Sequence, residues 1–88
     1  MAIIQVNDRY AKGALFADCL FHLHKDGSVS LISDGKGMEM AISVALSIVR
    51  SFDSRSMLGP VETFTEEINL DGKKHYVSKL KIDLVRKE

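Results

Sequence analysis

Residues 33–37, Ser-Asp-Gly-Lys-Gly, join a short apolar run to a long helical pattern at residues 38–52. A strand that turns through glycines into a helix leaves backbone N–H groups unpaired at the positive end of that helix, where anions bind. Gly35 and Gly37 let the backbone approach a ligand closely, and Lys36 adds a positive charge. The stretch therefore predicts a strand, a turn and a helix, with a candidate phosphate site at the turn.

A simpler interpretation of the same stretch is purely structural. Ser33 or Asp34 could cap the helix, and Gly35 could serve only to make the turn. The two interpretations make different claims about the first turn of the helix, which is either open to an anion or closed by a side chain.

The spacing of apolar residues predicts six elements along the rest of the chain. In order they are strand, helix, strand, helix, strand and strand, at residues 3–6, 10–24, 28–32, 38–52, 61–70 and 74–85. Residues 53–60 form a polar loop that Gly59-Pro60 closes, and Asp71-Gly72 is a typical hairpin turn. The pattern indicates an α/β fold in a single domain that occupies residues 1–88.

Composition limits the classes of protein to which the chain can belong. Its 88 residues are 45% apolar and suffice for one modest core. The chain has one cysteine, no basic and apolar leader, and no apolar run near the ~20 residues that span a membrane. We expect a soluble, cytoplasmic protein that does not interact with membranes.

No motif for catalysis or metal binding is present. A metal site is unfavourable because residues at helical spacings of three and five do not converge, and because no second cysteine is available. Carboxylates on the third strand are better explained as solvent-facing groups than as an acid/base pair, and the Walker spacing is absent. The residues considered were Cys19, His22, His24, Glu62, Glu66 and Glu67. We expect no enzyme activity, no metal, no cofactor and no small-molecule substrate.

Positive charge is unevenly distributed. The net charge is zero, yet residues 1–71 carry six Lys or Arg and ten Asp or Glu, whereas residues 72–88 carry six and two. A basic cluster at the strand ends and on the hairpin could follow a phosphate backbone, although solvated surface lysines explain the same pattern. Its members are Arg9, Lys36, Lys73, Lys74, Lys79 and Lys81.

Three stretches resemble the Alba family, small dimeric nucleic-acid-binding proteins of archaeal chromatin with eukaryotic RNA-associated members. Residues 3–9 match the first strand and basic turn of that family, residues 35–37 before Ala41-Ile42 match its Gly-basic segment, and residues 71–82 match its hairpin tip and last strand. The resemblance covers nearly the whole chain. It implies a two-layer α+β sandwich of βαβαββ order, with a four-stranded mixed sheet and two helices.

The resemblance also implies a function and a set of residues. It implies a homodimer that binds DNA or RNA through the phosphate backbone with little sequence preference, double-stranded DNA being favoured, in association with the nucleoid or with RNA. The nucleic-acid contacts would be Arg9, Lys12, Gly35, Lys36, Gly37, Lys73 and Lys74. Phe52 and Ile48, at the end of the second helix, would lie in an oligomer interface.

Two acidic residues depart from the family pattern. Asp8 and Asp34 stand where the family carries basic residues, which implies weaker phosphate binding. The chain is also similar to the stage V sporulation protein S group, which shares this fold and a stretch like residues 64–72. That likeness implies an alternative, a regulatory interaction protein with weak or no nucleic-acid binding.

Overall fold

The computed structural model describes residues 2–87 and contains the six elements in the predicted order. They are β1 (Ala2–Val6), α1 (Lys12–Asp26), β2 (Ser28–Asp34), α2 (Gly37–Ser47), β3 (Ser56–Leu70) and β4 (Lys73–Arg86). A π-helical turn, Ile48–Phe52, continues α2. None of the helices in the described part of the chain is long and apolar enough to cross a membrane.

The four strands form one mixed sheet in the order β1-β2-β4-β3. β1 and β2 are parallel, whereas β4 is antiparallel to both β2 and β3. Both helices pack on one face, where alternate residues of β1, β2 and β4 point into the core. On β4 these are Leu80, Ile82 and Leu84, which are buried. The predicted two-layer α+β sandwich is confirmed.

The stripe of apolar side chains that α2 buries is narrower than the apolar sequence of this helix indicates. On α2 the buried side chains include Ala41, Val44, Ala45 and Ile48, at helical spacing. Ile42, an equally apolar residue of the same helix, is instead 43% exposed. A small domain has too little core to cover every apolar residue of so apolar a helix, and the uncovered ones become surface.

The prediction of a loop over residues 53–60 is wrong after Arg55. β3 already begins at Ser56 and carries Gly59-Pro60 within it, at a shift of register between Leu58 and Val61. Proline has no N–H for a sheet, so it is tolerated here because β3 is an edge strand with an irregularity at this point. Turn-forming residues therefore mark a bulge and not the end of a strand.

The hairpin of β3 and β4 projects beyond the sheet. β2 pairs with β4 only as far as Asp34 and Lys79, and we call the free part of the hairpin, residues 65–78, the arm. At its tip Asp71 and Gly72 have φ values of 53° and 75°, which confirms the predicted turn. The arm gives the molecule its long dimension of 47 Å, against 22 and 19 Å for the other two.

Candidate nucleic-acid interface

The carboxyl ends of β1 and β2 lie side by side, because parallel pairing aligns Val6 with Ser33. The turns that follow these strands are consequently neighbours. Gly37 packs directly on the end of β1, where an added Cβ would lie 2.5 Å from the carbonyl oxygen of Val6. Gly37 is buried by this packing, so we assign it the function of allowing the two turns to meet rather than of contacting a ligand.

The turn between β1 and α1 is shaped by its own side chains. The backbone N–H of Arg9 donates to Oδ1 of Asn7 over 2.9 Å, which is an Asx turn. The hydroxyl of Tyr10 donates to the carboxylate of Asp18 and ties the turn to α1. This hydrogen bond, with some burial, raises the pKa of Tyr10 to about 12. Arg9 is exposed on a turn held at both sides.

The first turn of α2 has no side-chain cap. Gly35 adopts a left-handed φ of 50° and Lys36 occupies the N-cap position without a capping hydrogen bond. Ser33 is buried, and its Oγ has no hydrogen-bond partner among residues 2–87. The interpretation in which Ser33 or Asp34 caps the helix is therefore wrong, and the positive end of α2 is left uncapped.

Two of the predicted cations meet beside this helix end. Lys12, at the start of α1, and Lys36 line a groove of about 280 Å³ with Glu39, Met40 and Ser43. Glu39 brings a negative charge into the groove, since it lies in the first turn of α2. Lys12 was part of the predicted set, and the packing of α1 beside α2 brings it to the site.

Lys73 and Lys74 on the arm, with Lys79 where the arm leaves the sheet, form a separate basic patch. From Lys79, where β4 leaves the sheet, to Lys73 at the tip is about 20 Å at roughly 3.4 Å a residue. Lys74 lies 3.5 Å from a carboxylate oxygen of Glu67, and Lys79 lies 2.7 Å from one of Glu66. The hydrogen bond to Glu66 raises the pKa of Lys79 in spite of burial, and the charges of Glu66 and Asp34 add to this effect.

The two candidate interface residues of the second helix differ in exposure. Phe52 is 65% exposed and its ring meets that of Phe16 edge to face, with centroids 4.5 Å apart. Ile48 is fully buried in the core of its own protomer, so its assignment to an interface is wrong. The helical spacing that puts both residues on one face holds for a straight helix, whereas here the chain widens into a π-helical turn.

An apolar groove that the sequence analysis missed lies where α2 faces β3 and β4. Its volume is about 250 Å³, and its lining is entirely apolar: Ile42, Ala45, Leu46, Leu58, Val61, Leu80 and Ile82. Ile42 and Val61 remain 43% and 54% exposed. The signal in the sequence was the width of the apolar zone on α2, which exceeds what one small sheet can cover.

Cys19, His22 and His24 do not converge. Cys19 is buried in the core, where burial raises the pKa of its thiol to about 12. His22 lies 3.4 Å from Asp26, and Nδ1 of His24 accepts a hydrogen bond from Arg86 over 2.8 Å. Within residues 2–87 no group of three or more His, Cys, Asp or Glu side chains is placed to hold a metal ion.

These features define a small two-layer α+β domain that presents cations at the carboxyl edge of its sheet and on a projecting hairpin. The chain is similar to the solved structure of Alba from Thermoplasma volcanium, with a TM-score of 0.82 and 19% sequence identity. The match covers 96% of this chain and 99% of that chain. The expected Alba-like fold is thereby confirmed. No protein-family model and no curated protein sequence matches the chain.

Proposed function

We propose that this protein is a homodimer that binds nucleic acid through the phosphate backbone with little sequence preference, double-stranded DNA being the favoured ligand. The observation that carries the proposal is the groove in which Lys12 and Lys36 flank the uncapped end of α2. Backbone N–H groups, a helix dipole and two ammonium groups together match a phosphate diester. The Alba-like fold supports the same class of ligand.

The basic residues at the carboxyl edge of the sheet, which we call the edge cations, make no ion pairs within residues 2–87, and this supports the proposal. Arg9, Lys12 and Lys36 are exposed, and no carboxylate of residues 2–87 lies within 4 Å of their charged groups. Binding a phosphate therefore displaces no internal ion pair at these three residues. Contacts of this kind position a protein on nucleic acid without reading the bases, which is why we propose low sequence preference.

The apolar groove between α2 and the sheet supports the homodimer. A second copy of the chain would cover Ile42, Leu58 and Val61, whose burial is favourable by roughly 25 cal/mol for each Å² removed from water. A small domain gains most from such cover, because its own core is limited. We further propose that the dimer acts in the cytoplasm, in association with the nucleoid or with RNA.

The proposal is tested by fluorescence anisotropy with labelled duplex DNA and single-stranded RNA at about 50 and 200 mM salt, the range in which phosphate contacts weaken. Lys12→Glu should weaken binding strongly. Lys25→Glu is the matched control, since Lys25 lies near the other end of the same helix and lines a different surface. Equal losses in the two variants would contradict a localised phosphate site.

A second candidate is a regulatory interaction protein with weak or no nucleic-acid binding. It is favoured by the acidic partners of the arm lysines, Glu66 and Glu67, and by Asp34 beside Lys79. Absence of binding to either nucleic acid at 50 mM salt would support this candidate and refute the first.

A further inference from the structure

A second basic concavity lies at the opposite end of the sheet. It has a volume of about 370 Å³ and is lined by the end of α1, the segment before β3 and the end of β4, with the charged residues Asp26, Arg55, Arg86 and Lys87. We call it the basic pocket. Lys12 and Asp26 are the two ends of α1, so about 21 Å of helix separates the basic pocket from the groove at the carboxyl edge.

Backbone hydrogen bonds hold the walls of the basic pocket together. The N–H of Arg86 donates to the carbonyl oxygen of Gly27 over 2.9 Å, and the N–H of Lys87 donates to that of Arg55 over 2.6 Å. Three segments distant in sequence are thereby fixed against one another. Arg55 and Lys87 consequently lie next to each other in the lining, both with exposed side chains.

Arg86 is oriented by neighbours of its own. One terminal nitrogen donates to Nδ1 of His24 over 2.8 Å, and Nε lies 3.6 Å from a carboxylate oxygen of Asp53. The carboxylate of Asp53 also accepts the backbone N–H of Arg55 over 3.0 Å. The neighbouring Ser56 side chain, together with the backbone N–H of Arg55 and the charge of Arg86, lowers the pKa of Asp53 against the effect of burial. Asp53 thus balances the charge of Arg86.

Within residues 2–87 the other two cations, Arg55 and Lys87, have no counter-charge of this kind. No carboxylate of the described residues lies within 4 Å of the charged groups of Arg55 or Lys87. Asp26, the one acidic residue in the lining, is directed toward His22 at 3.4 Å. The basic pocket therefore holds a positioned guanidinium and two uncompensated cations, an arrangement suited to a compact anion with several acceptor oxygens.

We propose that the basic pocket is a second phosphate site, in which Arg55 and Lys87 contact the phosphate oxygens and Arg86 presents the remaining donors. The site is independent of the nucleic-acid interface at the carboxyl edge. Its phosphate comes either from a small phosphorylated molecule or from a second nucleic-acid strand, and both present the same tetrahedral group with negatively charged oxygens.

The site is tested by titrating the full chain with inorganic phosphate at constant ionic strength and following the backbone amides by NMR. We expect the amides of Gly27, Arg55 and Lys87 to shift. Arg55→Gln combined with Lys87→Gln should weaken this binding at least about tenfold, since two charge-assisted contacts are lost. Lys12→Gln combined with Lys36→Gln is the matched control, which removes two positive charges at the other end and should leave these shifts unchanged.

A bridging assay separates the two sources of phosphate. Two duplexes labelled with donor and acceptor dyes are mixed with the protein. If the Arg55/Lys87 variant loses energy transfer while its affinity for one duplex stays within twofold, the phosphate belongs to a second strand. If energy transfer is unchanged and inorganic phosphate binding is lost, the ligand is a small phosphorylated molecule.

The proposal is overturned if the Arg55/Lys87 variant binds inorganic phosphate within twofold of the unmodified protein, or if phosphate shifts only amides near Lys36. Neither result refutes the proposed function, which is tested at the other end of α1 with nucleic acid; phosphate shifts confined to amides near Lys36 would instead support the site proposed there. Because Arg55 and Lys87 have exposed side chains, their substitution leaves the core and the backbone hydrogen bonds of the pocket in place.

Discussion

Replacing Lys36 by glutamine should change how binding to duplex DNA depends on salt. In the proposed homodimer each protomer presents three cations at the carboxyl edge, Arg9, Lys12 and Lys36, that have no carboxylate of residues 2–87 within 4 Å, so the dimer presents six. With about 0.9 counterions released per phosphate contact, these six cations alone should contribute about −5.4 to the slope of log affinity against log salt. From this contribution affinity should fall about 2000-fold between 50 and 200 mM salt.

The Lys36→Gln variant loses one contact per protomer, so the contribution of the carboxyl-edge cations to the slope should decrease in magnitude by about 1.8, to about −3.6. Since these contributions vanish near 1 M salt, the variant should bind about 200-fold more weakly than the unmodified protein at 50 mM salt, and only about 20-fold more weakly at 200 mM. Anisotropy titrations at four or more salt concentrations measure both slopes. The larger loss at low salt is the signature of a phosphate contact.

Lys25→Gln is the control for this experiment, because it removes the same charge near the far end of α1. Its slope should equal that of the unmodified protein. An unchanged slope for Lys36→Gln would refute the assignment of Lys36 to a phosphate, even if affinity fell. Equal changes of slope in both variants would show that net charge acts at a distance and that the groove has no special function.

Three further predictions concern packing, assembly and acid stability. Gly37→Ala should lower the free energy of unfolding by about 1–3 kcal/mol, because the new Cβ would collide with the backbone of β1. Gly13→Ala should raise the free energy of unfolding by about 1 kcal/mol, because no atom lies within 4 Å of the new Cβ and alanine favours the helix. Urea unfolding measures both changes. Val61→Glu should dissociate the proposed homodimer, as measured by sedimentation velocity. Phe21→Glu, which places the same charge on the exposed face of α1, should leave the homodimer intact. A dimer that survives Val61→Glu would exclude the apolar groove as its interface. Asp53→Asn should destabilise the protein above about pH 4, the ordinary carboxyl pKa. Because the folded-state pKa of Asp53 is lowered, the stabilisation that its carboxylate provides is complete above the unfolded-state pKa and is lost as pH falls from there through the folded-state pKa. A difference in unfolding free energy between the variant and the unmodified protein that does not depend on pH would contradict this role of Asp53.

The order of elements could be predicted because it depends on local patterns. Alternation of Leu80, Ile82 and Leu84 with charged residues determines which face of β4 is buried, and Asp71-Gly72 determines the hairpin. Parallel pairing of β1 and β2 then follows from the helix between them, which places their two turns at one edge of the sheet. The cations Lys12 and Lys36 are close for this reason.

What the sequence could not predict depends on register and on distant segments. The pairing of Lys74 with Glu67 needs the hairpin register, and the burial of Ile48 needs the packing of α2 on the sheet. Arg55 and Lys87 lie far apart in the chain and meet only because β4 ends beside the segment before β3. No local periodicity carries that information, so the basic pocket was not among the sequence-based candidates.

The charges of the arm indicate where it can contribute to binding. The ion pair of Lys74 and Glu67 is exposed to solvent, and exposed pairs contribute only about 0–1 kcal/mol to stability. Lys74 can therefore exchange Glu67 for a phosphate at little cost in free energy. Lys79 is only 18% exposed, 2.7 Å from Glu66 and close to Asp34, so the same exchange would leave carboxylates without a partner. The tip of the arm is therefore free to bind phosphate and its base is not. In a complex with nucleic acid, the edge cations and the tip would form two separate contacts, because about 20 Å of hairpin lies between Lys79 and Lys73.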